Sequence, residues 1–147
     1  MKRMAIQNIQ SMLHGNQPVC VECGGMGVMT SGRKLHPHNP MVANRIYFAC
    51  PCGAWAGAHE GTGIPRGRPG NEETRSLRSR AHRLFDKRWG RDTNRSKHVL
   101  SKQRHKAYAW LGRELGIPAS ECHFGFMDRD MLKRAIALLT ESDRGGK

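Results

Sequence analysis

The spacing of apolar positions changes twice along this 147-residue chain. Over residues 1–15 apolar side chains recur every three or four positions, which predicts a short amphipathic helix. Over residues 18–60 they come in short runs separated by turn-forming residues, which predicts a small β-hairpin module. The helical spacing returns over residues 72–142. The pattern therefore predicts an α+β fold, in which a small antiparallel sheet is followed by a three-helix unit.

Three helices are predicted in the second half of the chain from their apolar stripes and end signals. The first spans residues 72–89, with acidic residues at its start, where the helix dipole favours them, and Gly90 beyond its end. Ser101 is the predicted N-cap of the second helix, which ends at Gly116. Asp128 is the predicted N-cap of the third helix.

Residues 61–71 separate the β-module from the helical unit. This stretch contains four glycines and two prolines, a composition that can continue neither a helix nor a central strand. We therefore predict an Arg/Gly linker here. The predicted division of the chain is an N-terminal helix over 1–15, the β-module over 18–60, the linker, and the helical unit over 72–142.

Four cysteines in the β-module form two close pairs, Cys20-x2-Cys23 and Cys50-x-Cys52. Two thiolates on one tight turn and two on another can complete the tetrahedral coordination that Zn²⁺ prefers, without a large core to hold them. We therefore predict one structural zinc ion, and the module is a zinc ribbon. The fifth cysteine, Cys122, is predicted to be a small buried hydrophobe.

The second cysteine pair is one residue shorter than the usual C-P-x-C-G turn, because only Pro51 lies between Cys50 and Cys52. A histidine could therefore replace one sulfur ligand. The candidate substitutes are His36, His38 and His59. Whether Cys50 or one of these histidines completes the site stays open at this point.

The charge is the second strong signal, since 25 Lys and Arg against 12 Asp and Glu give a net charge of +13. Residues 66–106 hold 14 of the basic residues and only 4 acidic ones. Such a segment can neutralise phosphates and release counterions, and an aromatic such as Trp55 can stack on an unpaired base. The predicted nucleic-acid contacts are Arg66, Arg68, Arg75, Arg78, Arg80, Arg83, Lys87, Arg91, Arg95, Lys97, Lys102, Arg104, Lys106 and Trp55.

The ribbon resembles a known zinc module. Cys20-x2-Cys23-Gly-Gly, a strand, and then Ile-Tyr-Phe-Ala-Cys50 are similar to the four-cysteine zinc ribbons at the C-terminal end of bacterial type I topoisomerases. Those ribbons bind single-stranded DNA. The resemblance covers about 40 residues and implies the same fold for this part of the chain.

A second group of motifs extends over nearly residues 20–139. It comprises Cys52-Gly-Ala-Trp55, Ala81-His82, Phe85-Asp86, Ala107-Tyr-Ala-Trp110-Leu111, Gly116-Ile-Pro118 and Glu121-Cys-His-Phe-Gly125. With these motifs the chain resembles the phage and prophage family of zinc-finger-containing domains of unknown function, which implies a phage origin and a zinc ribbon followed by helices, but no reaction. That family has Gly-Cys-His where this chain has Gly57-Ala58-His59, so a cysteine there is no obligatory ligand.

These observations predict a non-enzymatic, basic protein that binds DNA or RNA, within the cytoplasm of a host cell if it is phage-encoded. The alternative is a module that docks on a host protein complex such as RNA polymerase and modulates transcription. A nuclease or deaminase is least favoured, since four thiolates leave zinc no open position and His59-Glu60 reverses the order of a deaminase signature. No membrane-spanning or secretory segment and no small-molecule site are predicted.

Overall fold

The computed structural model of the chain describes residues 13–14 and 17–144. Most of the predicted helix over residues 1–15 therefore lies outside the described residues. Its end does not, because strand β1 (Leu13–His14) pairs antiparallel with strand β2 (Gln17–Pro18). Those two residues are extended rather than helical.

A three-stranded antiparallel sheet follows, as predicted for this part of the chain. Strand β3 (Val28–Ser31) pairs with β4 (Ile46–Ala49), and β4 pairs with β5 (Trp55–Gly57). The long connection from β3 to β4 begins with a short helix, α1 (Gly32–Leu35). Phe48 on the central strand is fully buried and forms much of the small interior.

The segment predicted as a linker, residues 61–71, runs along the outer edge of β5 and packs against the helical unit. Isolated bridges join Ala58 to Pro65 and Trp55 to Gly70. Gly67 is buried so close to the carbonyl group of Gly125 that a side chain at this position would overlap it. The glycines therefore permit close backbone packing here, in addition to interrupting regular structure.

The helical unit contains three long helices in the described part of the chain: α2 (Glu72–Trp89), α3 (Lys97–Leu115) and α4 (Arg129–Arg144). Gly90 ends α2 and Gly116 ends α3, both in the left-handed conformation. None of the described helices is long and apolar enough to cross a bilayer.

The predicted starts of two helices had different outcomes. Asp128 caps α4 as predicted, because its Oδ1 accepts a hydrogen bond from the Met131 amide at 2.9 Å. The prediction of Ser101 as the cap of α3 is wrong. Ser96 is the N-cap and accepts from the Val99 amide, so α3 begins a full turn earlier.

The core of the helical unit forms where α2 and α4 pack on each other and α3 packs across them. Phe85 from α2, Leu111 from α3 and Leu132 from α4 are all fully buried in it. Cys122 lies in the same core and is fully buried, as predicted, and burial raises the pKa of its thiol to about 11. It is therefore a structural residue.

Candidate metal centre and cationic surface

The first cysteine turn is held by its own backbone. The Cys20 amide donates to the Gly25 carbonyl at 2.7 Å, and the Gly24 amide donates back to the Cys20 carbonyl at 3.1 Å. Gly24 has a φ of 78°, which L side chains rarely adopt. The amides of Glu22 and Gly25 point at the sulfurs of Cys20 and Cys23, each at 3.4 Å.

The second cysteine turn is also held by its own backbone hydrogen bonds, with one residue fewer between the two cysteines. The Cys50 amide donates to the Ala54 carbonyl at 2.8 Å, and the Gly53 amide donates to the Cys50 carbonyl at 2.9 Å. The turn therefore closes between residues three apart, where the first turn closes between residues four apart. Gly53 has a φ of 100°, which makes the tighter closure possible.

The four sulfurs converge on one point between the two turns. Cys20 Sγ lies 3.7 Å from Cys52 Sγ, Cys23 Sγ lies 3.3 Å from Cys50 Sγ, and all four atoms lie within 4.8 Å of one another. A tetrahedron with zinc–sulfur bonds of about 2.3 Å has edges of about 3.8 Å. The distances are much longer than the roughly 2.05 Å of a disulfide bond. The arrangement fits one four-coordinate zinc ion.

The surroundings of the thiols oppose ionisation at two of the four positions. Burial raises the pKa of Cys50 to about 12 and raises the pKa of Cys20. The Gly25 amide lowers the pKa of Cys23, which is exposed. Four thiolates this close repel one another, so a divalent cation is needed to hold them all ionised. The cluster is a structural zinc site.

No histidine joins this cluster in the part of the chain that the structure describes. The ring of His36 instead packs edge-on against Tyr47 and Trp55, with centroids 5.1 and 4.7 Å away. His38 is exposed in the connection from β3 to β4, and His59 lies in the turn after β5, where its amide donates to a backbone carbonyl. The fourth ligand is therefore the sulfur of Cys50, and none of the three candidate histidines replaces it.

Glu22 connects the zinc turn to the helical unit. It lies between the two cysteines of the first pair, and its Oε2 accepts from the Asn71 amide at 2.9 Å and from the Thr74 hydroxyl at 2.5 Å. Arg129 of α4 lies 3.6 Å from the other carboxylate oxygen. Burial alone would raise the pKa of Glu22, but these hydrogen bonds and the charges of Arg129 and Arg78 lower it. The carboxylate is thus fixed at the N-terminus of α2.

Two of the predicted nucleic-acid contacts, Arg68 and Arg78, have partners within the protein. Arg68 donates to the Val19 carbonyl at 2.7 Å and so joins the linker segment to the ribbon. Arg78 donates to the carbonyls of Arg68 and Met127, at 2.8 and 3.3 Å. Burial lowers the pKa of Arg78 to about 10, which leaves it charged at neutral pH. Both guanidinium groups hold backbone together between ribbon and helices.

Trp55 and Arg75 pack on each other at the same junction. The Arg75 guanidinium lies 4.1 Å from the centroid of the Trp55 ring and donates to the Gly70 carbonyl at 2.6 Å. Tyr47 and His36 contact the ring edge-on. Trp55 is therefore a half-buried part of the ribbon's packing, with one face covered by Arg75.

Most of the remaining predicted contacts are exposed. Arg91 forms an ion pair with Asp86 at 2.9 Å, and Arg66 donates to the Ala58 carbonyl at 3.1 Å. Arg104 is half-buried, with its guanidinium 5.4 Å from the Tyr108 ring centroid. The exposed cations of the segment are Arg66, Arg80, Arg83, Lys87, Arg91, Arg95, Lys97, Lys102 and Lys106.

The prediction omitted Arg88, which lies at the end of α2 with its guanidinium 3.6 Å from the ring centroid of Trp110. Its position could have been read from the sequence. Arg88 is seven residues after Ala81 and three after Phe85, so it shares their side of the helix. A cation on the apolar side of a helix has to find a partner, and an aromatic ring is one such partner.

A closed four-sulfur zinc site on a three-stranded ribbon, followed by a three-helix unit, defines a zinc-finger protein of α+β class. The chain belongs to the family designated DUF3268, described as a zinc-finger-containing domain, whose model matches residues 16–142. This confirms the resemblance to a zinc-finger-containing family. No curated protein and no solved structure is significantly similar to the chain.

Proposed function

We propose that this protein binds nucleic acid through the exposed cations of its helical unit and catalyses no reaction. The zinc ribbon contributes rigidity, because the arginines of the linker segment and of α2 that face it are engaged with backbone carbonyls. A phage context and a regulatory role are part of the proposal, and they rest on the resemblance of the sequence alone.

The observation that carries the proposal is that most of the basic side chains between residues 66 and 106 are exposed to solvent. Three that face the junction, Arg68, Arg75 and Arg78, are half-buried and donate to backbone carbonyls. Nine others are exposed on the linker segment, the helices and their connection, Arg66 and Arg91 among them with one protein partner each. On α3, Lys102 and Lys106 are four residues apart and Arg113 follows seven later, so the three lie on one side of the helix. Such a row can follow a phosphate backbone.

The salt dependence of binding tests this proposal. The zinc-loaded protein is titrated against fluorescent duplex and single-stranded DNA and RNA at several potassium chloride concentrations. Log affinity is expected to fall linearly with log salt, with a slope of about 0.9 per phosphate neutralised on a duplex and about 0.7 on a single strand. Affinity that does not change with salt, or no binding at low salt, contradicts the proposal.

A protein-docking function is the second candidate, and one specific observation favours it. Met26, Val28 and Met29 are exposed large apolar residues on or beside β3, which is an edge strand of the sheet. An edge of this kind can accept a strand from a protein partner. Pull-down from nuclease-treated host lysate separates the candidates: a stoichiometric partner lost on Val28→Lys supports docking, and unchanged recovery with Val28→Lys argues against it.

A further inference from the structure

A cleft opens between the end of α2 and one face of α3. Its volume is about 360 Å³, which is in the range of small-molecule sites. Residues 103, 106, 107 and 110 line one wall on successive turns of α3. The other wall comes from Arg88 and Trp89 at the end of α2. The cleft is therefore part of the cationic helical unit and separate from the zinc site.

Two flat groups stack within the cleft. The Arg88 guanidinium lies 3.6 Å from the centroid of the Trp110 ring, and both residues are half-buried. The indole of Trp89 is also held in place, since its Nε1–H donates to Asp86 Oδ1 at 3.0 Å. Indole rings and arginine guanidinium planes are the surfaces on which unpaired bases stack in protein complexes with single strands.

Gln103, in the α3 wall of the cleft, contacts a further cation, Arg95. With its amide oriented so that donors face acceptors, its nitrogen donates to the Trp89 carbonyl at 3.2 Å and its oxygen accepts from Arg95. This joins α3 to the end of α2 and to the loop that carries Arg95. Lys106, which is exposed, lies at the rim on the side of α3.

We propose that this cleft takes one unpaired base of a single-stranded nucleic acid, stacked on the Arg88–Trp110 pair. The phosphates on either side of that base contact Arg95, Lys102 and Lys106. Lys102 and Lys106 are about 6 Å apart along the helix axis, so one strand can contact both. A base within a duplex is stacked on its neighbours and cannot enter, so the cleft selects single strands. This inference rests on the proposed function.

The experiment compares Trp110→Leu with wild type on two probes, oligo(dT) of about 12 nucleotides and a duplex of equal length. Leucine keeps an apolar side chain at a half-buried helical position. We expect the single-strand Kd to rise about 5- to 150-fold, since stacking contributes about 1 to 3 kcal/mol per base. The duplex Kd and the salt slope on duplex should stay within about twofold of wild type, because the phosphate contacts remain.

Arg88→Gln is the second variant, in case Trp110→Leu lowers helical content or the melting temperature. It removes the planar cation from the stack and leaves Trp110 in place. Lys133→Gln is the matched charge control, since it removes one exposed cation from α4. Arg88→Gln should weaken single-strand binding selectively and by more than Lys133→Gln does.

The outcomes separate this inference from the proposed function. Salt-dependent binding by wild type, with a single-strand Kd unchanged by Trp110→Leu or Arg88→Gln, overturns the base cleft and leaves the proposed function standing. Equal weakening on single strand and duplex also overturns the cleft. If the wild-type protein binds neither the single strand nor the duplex, both the proposed function and this inference are wrong.

Discussion

Replacement of Glu22 by alanine should weaken the junction between zinc turn and helices more than any surface change of equal charge. The Glu22 side chain is only 13% exposed, and its carboxylate accepts hydrogen bonds from the Asn71 amide and the Thr74 hydroxyl. Thr74 is fully buried, so without Glu22 its hydroxyl has no water to replace the lost acceptor. The change therefore leaves donors unsatisfied in the interior.

The expected loss follows from those two contacts. Hydrogen bonds to a charged group contribute about 1.5 to 3 kcal/mol each, so the loss of two in Glu22→Ala should lower the free energy of unfolding by about 3 to 6 kcal/mol. That is a large part of the roughly 5 to 15 kcal/mol by which domains are stable. Glu22→Gln keeps the shape and one acceptor oxygen and should lose about 1 to 2 kcal/mol.

Urea unfolding of the zinc-loaded protein, followed by circular dichroism, measures these losses. Glu73→Ala is the matched control, because Glu73 also pairs with Arg129, at 3.4 Å, but is 55% exposed. Glu73→Ala should lower the free energy of unfolding by less than about 1 kcal/mol, because exposed ion pairs contribute little. Equal losses for Glu22→Ala and Glu73→Ala would mean that the largely buried carboxylate of Glu22 stabilises the protein no more than an exposed one.

The pH dependence of stability gives an independent check on Glu22. Its pKa is lowered in the folded state, so its contribution is fully present above the unfolded value of about 4.3 and is lost as pH falls through the folded pKa. Between pH 6 and pH 3 the unfolding free energy of wild type should therefore fall more than that of Glu22→Gln. Equal decreases in the free energy of unfolding of wild type and Glu22→Gln over this pH range would contradict this prediction. Loss of zinc at acid pH lowers the stability of both proteins alike.

Three further predictions concern the zinc site and the helix caps. Cys50→Ser and Cys52→Ser should each abolish stoichiometric zinc in mass spectrometry of the native protein, and retention of zinc in Cys50→Ser would implicate another ligand. Gly53→Ala should lower the free energy of unfolding by about 1 to 2 kcal/mol, because its φ of 100° is unfavourable for alanine; an unchanged urea midpoint argues against that turn geometry. Ser96→Ala should cost about 1 kcal/mol and Ser101→Ala nearly nothing, and the reverse order would place the cap at Ser101.

Local features were predictable from the sequence. The cysteines lie close together within each turn, so their spacing predicted a zinc site. It left open whether Cys50 or a histidine completes that site, and the structure brings Cys50 into the cluster. The helix predicted over 72–89 matches the observed α2. The cap of α3 was mispredicted because Ser96 and Ser101 are both good caps. The side chains between them carry little apolar pattern to decide which is used.

Features that join distant parts of the chain could not be predicted. Glu22 and Thr74 are 52 residues apart, and no local pattern indicates that they meet. Which arginines are half-buried and which are exposed also depends on contacts between distant parts of the chain. Arg78 is partly indicated by the sequence. It lies three residues before Ala81 and seven before Phe85, on the buried side of α2, where a cation requires partners.

The proposed binding of nucleic acid by exposed cations of the helical unit can be tested on α3. The most direct measurement compares the double variant Lys102→Gln, Lys106→Gln with a control, Lys34→Gln, Lys133→Gln, which removes the same charge from exposed positions on α1 and α4. Duplex affinity is measured for both across a range of salt concentrations. The slope of log affinity against log salt should fall by about 1 to 2 in the first variant and stay near wild type in the control. Identical slopes for the two variants would show that Lys102 and Lys106 do not contact phosphates.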